Sequence, residues 1–184
     1  MSKNSKDSSK GQSQWLIKIF LMTFILSVIF NYLSTDVVEN LNIIVSIVIL
    51  ILVIIVSIIT DIIAIAATAA EEAPFHAKAA DKKRGAKQSV MIIKNADKVS
   101  SVCADVIGDV CGVLAGATSA LVAINIANLL HLSAVSIVTM LVTATVTALM
   151  VFGKGIGKRF GIKNANEIVD FIGVLISYFS FSFK

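Results

Sequence analysis

Long apolar stretches, separated by short polar ones, set the rhythm of this chain. Residues 15–33 make a first run of about 19 mostly apolar residues, just enough to cross the hydrocarbon core of a bilayer as a helix. A second run, 41–66, is rich in Ile and Val. β-Branched residues are poor helix formers in water, but so long an apolar stretch still predicts a membrane helix. A third run, 102–126, and a fourth, 134–152, are joined by a tight turn around 128–133. The final apolar stretch, 168–183, is only about 16 residues long and has Glu167 and Asp170 at its start, which predicts a half-buried interfacial helix rather than a fifth span.

Polar segments punctuate these runs. Residues 1–14 are rich in Ser, Lys, Asn and Gln and predict a disordered tail. Residues 71–100 have the composition of a water-exposed or interfacial segment, with Pro74 marking a break or a new helical start. In the second half of that segment Lys87, Lys94 and Lys98 share one helical face, while Ala86, Val90 and Ile93 lie on another. Residues 153–161 are rich in Gly and Lys and are expected to leave the membrane. The pattern predicts an all-α membrane protein. Its elements are four transmembrane helices, a basic juxtamembrane segment 71–100 and a C-terminal interfacial helix 166–183, with 41–183 as the main domain and 15–33 as an additional N-terminal span.

Composition supports this and adds direction. The chain is 57% hydrophobic and 15% charged, more apolar than an ordinary soluble domain and with too few charges to coat one. A net charge of +4 raises the question of nucleic acid, but the basic residues are not interleaved with aromatic stacking groups, so no nucleic-acid partner is expected. Orientation explains the charge better. Lys3, Lys6, Lys10, the cluster from Lys78 to Lys98 and the group Lys154, Lys158, Arg159 and Lys163 fall on one side of the predicted topology, and the two opposite loops carry no Lys or Arg. The positive-inside rule then puts both termini in the cytoplasm of a multi-pass cell-membrane protein. Lys18, in the first turn of the first span, can snorkel outward. The exit Asn31-Tyr32-Leu33-Ser34 has no small-x-small cleavage pattern, so that span is expected to be retained. Cys103 and Cys111 share one helix and are too far apart along it to bridge. His76 and His131 are solitary, with no zinc-type spacing.

The candidate chemistry is carried by charges at membrane depth. Asp105 and Asp109 lie one helical turn apart at the start of the third span, and an ionisable group in a bilayer is costly enough to suggest function. With Asp61 near the end of the second span, they could gather around a hard cation, which prefers oxygen ligands. Asp61 and Asp105 also lie near the expected cytoplasmic ends of their helices, where interfacial water or neighbouring lysines would satisfy them. Asp109 is one turn deeper. Lys154, near the end of the fourth span, has a comparable depth and could neutralise Asp109 directly. Gly108, Gly112 and Gly116 form a small-residue row suited to close helix packing in lipid.

The order of motifs resembles a known family. A span ending in small residues is followed by Arg84-Gly85-Ala86-Lys87, Asn95-Ala96-Asp97-Lys98-Val99, Ile107-Gly108-Asp109 and Val151-Phe152-Gly153-Lys154-Gly155-Ile156-Gly157-Lys158. Together, over 43–179, these look like the transmembrane domain of the CNNM/CorB/CorC proteins. The resemblance implies a homodimer of three-span protomers with a juxtamembrane helical segment and a belt-like C-terminal helix, associated with magnesium and cobalt transport. It further implies an ion site near Gly108, Asp109, Gly153 and Lys154. The chain departs from the family at those positions: Asp109 stands where an Asn ligates the cation, Lys154 where a Glu does, and Gly157 where a Pro kinks the helix. No Ser-x-Glu-like element is evident among Ala64, Ile65 and Ala66, and no CBS regulatory domains are expected. The expected outcome is a degenerate ion site, with Mg2+ as the ion if any and an Asp109–Lys154 ion pair as its replacement. A scaffolding or binding role is the alternative. An intramembrane aspartyl protease would need a Gly-x-Gly-Asp element, but Val106 stands where its first Gly belongs, so no enzymatic activity is expected.

Overall fold

A computed structural model of the chain describes residues 15, 17–30, 32, 42–131 and 134–181, with side chains described to residue 178. The tail 1–14 and the turn residues 132 and 133 lie outside these, as do Asp36, Glu39 and most of the loop that holds them. The described residues are helical throughout, joined by short turns, and three helices are long and apolar enough to cross a membrane. This architecture is compatible with a multi-pass membrane protein.

The first helix, α1, covers Ile17–Phe30 and is apolar but shorter than the other three candidates. Helix α2, Ile43–Ala69, starts where the Asn42 side chain accepts a hydrogen bond from the Ile44 N–H at 3.2 Å, satisfying one of the free donors of the first turn. Helices α3 (Glu72–Ala80) and α4 (Ala86–Lys94) follow, Pro74 sitting in the first turn of α3, where its missing N–H costs nothing. Asn95 ends α4, its Nδ2 donating to the Met91 carbonyl at 2.9 Å. From there one helical rod runs through α5 (Ala96–Ser100), a π-helical segment Ser101–Gly108 and α6 (Asp109–Leu129). The third span therefore begins earlier than its apolar run suggests.

Helix α7, Val135–Lys163, is 29 residues long, or about 43 Å at the α-helical rise against a hydrocarbon core of about 30 Å. It continues without a break through 153–161, where the Gly and Lys content predicted an exit. The reason lies in packing. Gly153, Gly157 and Gly161 recur every fourth residue on the face toward α2, and a Cβ on any of them would crowd Ile58 or Ile62, down to 2.5 Å from Ile58 Cδ1 at Gly153. Each glycine costs about 1 kcal/mol of helix propensity, offset here by backbone-close packing that a side chain would prevent. Helix α8, Ala165–Phe181, completes the chain.

Helices α2 and α7 run parallel and pack on each other, with α6 antiparallel to both, packed against both and the most buried of the three. They meet at Leu50, Ala115 and Met150, flanked by Val53, Ile54 and Val146. Helices α3, α4, α5 and α8 form a cap at the C-terminal end of α2, built on Ala66, Ala67, Phe75, Ile92, Ala165 and Val169. Gly85, in the left-handed region at φ 82°, lets the start of α4 lie directly on α8: a Cβ there would meet the Val174 backbone nitrogen at 2.6 Å. Ser89 pins the same crossing, its Oγ donating to the Val169 carbonyl at 3.2 Å. The cap is tied further by a Lys78–Asp170 ion pair at 2.8 Å and by the Glu71 N–H donating to Asn166 Oδ1 at 2.9 Å. The Arg84 guanidinium stacks over Tyr178 of α8, 3.7 Å from the ring centroid.

Candidate functional site

The charged residues at span depth gather at the end of the bundle next to the cap, but not in the grouping their depths alone suggest. Asp105 and Asp109 are both exposed on the outside of the rod. Gly108 is buried, and Asp109, the next residue, lies about 100° further round the helix, so the two cannot face the same neighbour. Among the described residues no ion pair joins Asp109 to Lys154, nor does any group of three His, Cys, Asp or Glu side chains converge as metal ligands would. Gly112 faces Met150 of α7, and Gly116 has open space around it, so the small-residue row of α6 is only partly used in packing.

Lys154 instead reaches Gly108. A Cβ placed on Gly108 would lie 3.5 Å from Lys154 Nζ, 3.9 Å from Thr60 Oγ1 and 3.4 Å from the Cys103 carbonyl oxygen. The ammonium, a hydroxyl of α2 and a carbonyl of the π-helical segment thus converge on one glycine. Cα–Cβ bonds tilt toward a helix's N-terminus, so the Lys154 stem leans back into the bundle from the Gly-rich end of α7. On α2, Ser57 Oγ donates to the Gly108 carbonyl at 3.1 Å, and Thr60 Oγ1 donates to the Ser57 carbonyl at 3.0 Å. The π-helical geometry belongs to the same junction, and such segments recur at functional sites because they displace backbone groups from regular pairing.

Asp61 completes the site. It follows Ser57 by one turn on the buried face of α2 and is followed three residues later by buried Ala64. Only 8% of Asp61 is exposed, and its Oδ2 is enclosed without a hydrogen-bond partner. A buried carboxylate oxygen left unpaired is costly, and more so where the surroundings are apolar, so this oxygen calls for a partner. Among the described residues no cation forms an ion pair with it, Lys154 included. Asp61 therefore stands inside the bundle, where its position near a helix end suggested interfacial water.

The signal that would have found this site was present. Ser57, Asp61 and Ala64 follow i, i+4, i+7 spacing in a run otherwise made of Ile and Val, marking the inward face of α2. Gly153, Gly157 and Gly161 carry the same four-residue period as Gly108, Gly112 and Gly116. The π-helical segment, which sets the phase of Gly108 and Asp109 relative to the start of the rod, has no such sequence signature.

No protein-family model matches the chain, and comparisons with curated proteins and with solved structures returned no match.

Proposed function

We propose that this protein is a cation-handling integral membrane protein of the CNNM/CorB/CorC kind, a divalent-cation (magnesium or cobalt) transporter domain whose intramembrane site is centred on Asp61 rather than Asp109. One observation carries the reading: a carboxylate nine-tenths buried, with an unpartnered oxygen, in a helix long and apolar enough to cross a bilayer. Ser57 and Thr60 hydroxyls and the carbonyls of the π-helical segment supply the remaining hard oxygen groups at the same junction. In this reading α1 is a fourth, N-terminal span, both termini are cytoplasmic, and α8 lies at the membrane surface as a belt. Trp15 beside Lys98, 5.6 Å from its ring centroid to Nζ, supports the same-side position of the N-terminus, since Trp favours membrane interfaces. The protein acts without enzymatic chemistry and without nucleic acid.

Homodimerisation is part of the proposal. The outer face of α7 exposes Phe152, Ile156 and Phe160 at 68%, 56% and 54%, one turn apart, toward the cap end. Further along, Met140, Thr143, Ala144, Thr147 and Ala148 line an open groove of about 800 Å3 on the same helix, with small residues that suit a second helix. The same face favours a scaffolding role should no ion move.

Flux of Mg2+ and Co2+ into proteoliposomes containing the full chain tests the proposal. The expected result is slow uptake that falls at least tenfold in Asp61→Asn and is unchanged in Asp109→Asn, corresponding to about 1.4 kcal/mol or more. Folded protein with no flux of either ion would leave the scaffold reading in its place.

A further inference from the structure

The turn that joins α3 to α4 carries three adjacent cations, Lys82, Lys83 and Arg84, all of them exposed. Among the described residues none of the three forms an ion pair, although Asp81 precedes them in the same turn. The turn is nevertheless held in place. Gly85, at φ 82°, seats it on the backbone of Val174 in α8, and the Arg84 guanidinium is stacked 3.7 Å from the centroid of the Tyr178 ring. Tyr178 in turn belongs to a stripe. Phe171, Leu175 and Tyr178 follow i, i+4, i+7 spacing along α8 and are all exposed, on the side away from buried Val169 and Gly173.

We propose that this corner of the cap binds anionic phospholipids, the α8 stripe entering the acyl boundary while Arg84, Lys82 and Lys83 hold the phosphates of the headgroups. This rests on the reading of α8 as a membrane-surface helix, and adds to it a lipid class and the residues that select it. Position and charge together set the occupant. The cap is built on the C-terminal end of α2, a helix long and apolar enough to span a bilayer, so in that reading a membrane surface lies beside it. A soluble acidic partner would match the cations but not the stripe, and a neutral lipid the stripe but not the cations. Stacking covers a face of the Arg84 guanidinium and leaves its N–H edges, which pair with phosphate oxygens two at a time. Tyr favours the same depth, with its ring among acyl chains and its hydroxyl among headgroups. Lys78, by contrast, is already held by Asp170 at 2.8 Å and takes no part.

Spin-labelled lipids added to the full chain reconstituted in phosphatidylcholine test this, through the preference of protein-bound lipid for phosphatidylglycerol over phosphatidylcholine. The expected result is a wild-type preference that falls at least about fivefold in Lys82→Gln/Lys83→Gln/Arg84→Gln. Lys158→Gln/Arg159→Gln, which removes two exposed charges from α7, should lower it by less than about twofold. Thermal unfolding checks that each variant is folded. The depth of α8 is read separately: Trp15, the one tryptophan of the chain, is removed by Trp15→Phe, and Leu175→Trp then reports quenching by lipids brominated along their acyl chains. Quenching together with no wild-type preference, or with a preference unchanged in the folded triple variant, overturns the headgroup site and leaves α8 at the membrane. An equal loss in the α7 variant overturns it too, because the preference would then follow overall charge. Absence of quenching overturns both the surface position of α8 and the proposal built on it.

Discussion

The three-helix bundle and the cap are built from the same chain by opposite means. In the cap, large apolar side chains meet: Phe75, Ile92 and Val169 are buried together, ringed by Val90, Ile93, Val99, Ile168 and Ile172. In the bundle the closest contacts are made by residues with almost no side chain, Gly153, Gly157 and Gly161 against α2, and the buried positions include Ser46, Ser57, Thr118 and Ser119. The large Ile, Val and Leu residues of α2, among them Ile44, Val48, Leu52 and Ile59, point outward. The difference follows from the solvent. Water drives apolar area together at roughly 25 cal/mol per Å2, whereas lipid offers no such drive and rewards close backbone approach and polar contacts. The bundle thus has the make-up expected of a lipid-facing part and the cap that of a part that meets water.

The strongest test removes the largest buried side chain of the cap. Phe75→Ala should cost about 3–5 kcal/mol through lost burial and the cavity left behind. Hydrogen exchange of the reconstituted protein should then show α3, α4 and α8 losing protection while the middle of α6 keeps it. Equal loss along α6 would mean that cap and bundle unfold as one unit and that the contrast is only one of composition. A smaller test addresses the bundle. A Cβ on Gly161 already lies 3.1 Å from the Ile62 carbonyl oxygen, a backbone atom that has little room to yield, and so Gly161→Leu should cost about 1–3 kcal/mol by overpacking. Gly116→Leu, with nothing within 4 Å, should be close to neutral. If melting temperatures of the two variants fall equally, close packing of α7 on α2 is not what holds these helices together.

The contrast also explains what was legible in the sequence. The spans α2 and α7 were readable because length and apolarity alone define a membrane helix, and the cap's composition shift marked it out at 71–100. What was hidden was rotation. Depth could be estimated by counting residues from a helix end, and by that measure Asp109 and Lys154 match. Yet the π-helical segment just before Asp109 shifts the phase of the rod, turning Gly108 inward and Asp109 outward. Glycine misled for a related reason. In water-soluble helices Gly and Lys together predict an ending, the reading that residues 153–161 invite, while the four-residue period of Gly153, Gly157 and Gly161 is the signal for helix contact in lipid. Asp61 is visible in the sequence as a charge near a helix end, which fits the interface as well as a cation site, and its buried face becomes apparent only once Ser57 and Ala64 are taken with it.

The smallest expected effect refines the comparison from the cap side. Lys78 bridges α3 to Asp170 on α8 at 2.8 Å, and its ammonium also lies 5.8 Å from the centroid of the Phe75 ring. Both partners of the ion pair are about one-third exposed, so water and salt weaken the attraction, and such a pair contributes roughly 0.2–1 kcal/mol. Lys78→Ala should therefore lower cap stability only slightly, and less at 1 M salt, where the screening length falls to about 3 Å. A double-mutant cycle with Asp170→Ala separates the ion pair from the ring contact, since the ring contact is lost with Lys78 whichever residue stands at 170. A coupling well above 1 kcal/mol, or one that salt leaves untouched, would mean that the bridge is shielded from water. The cap would then resemble the bundle in its surroundings, and the boundary between the water-facing and lipid-facing parts of the molecule would have to be moved toward α8.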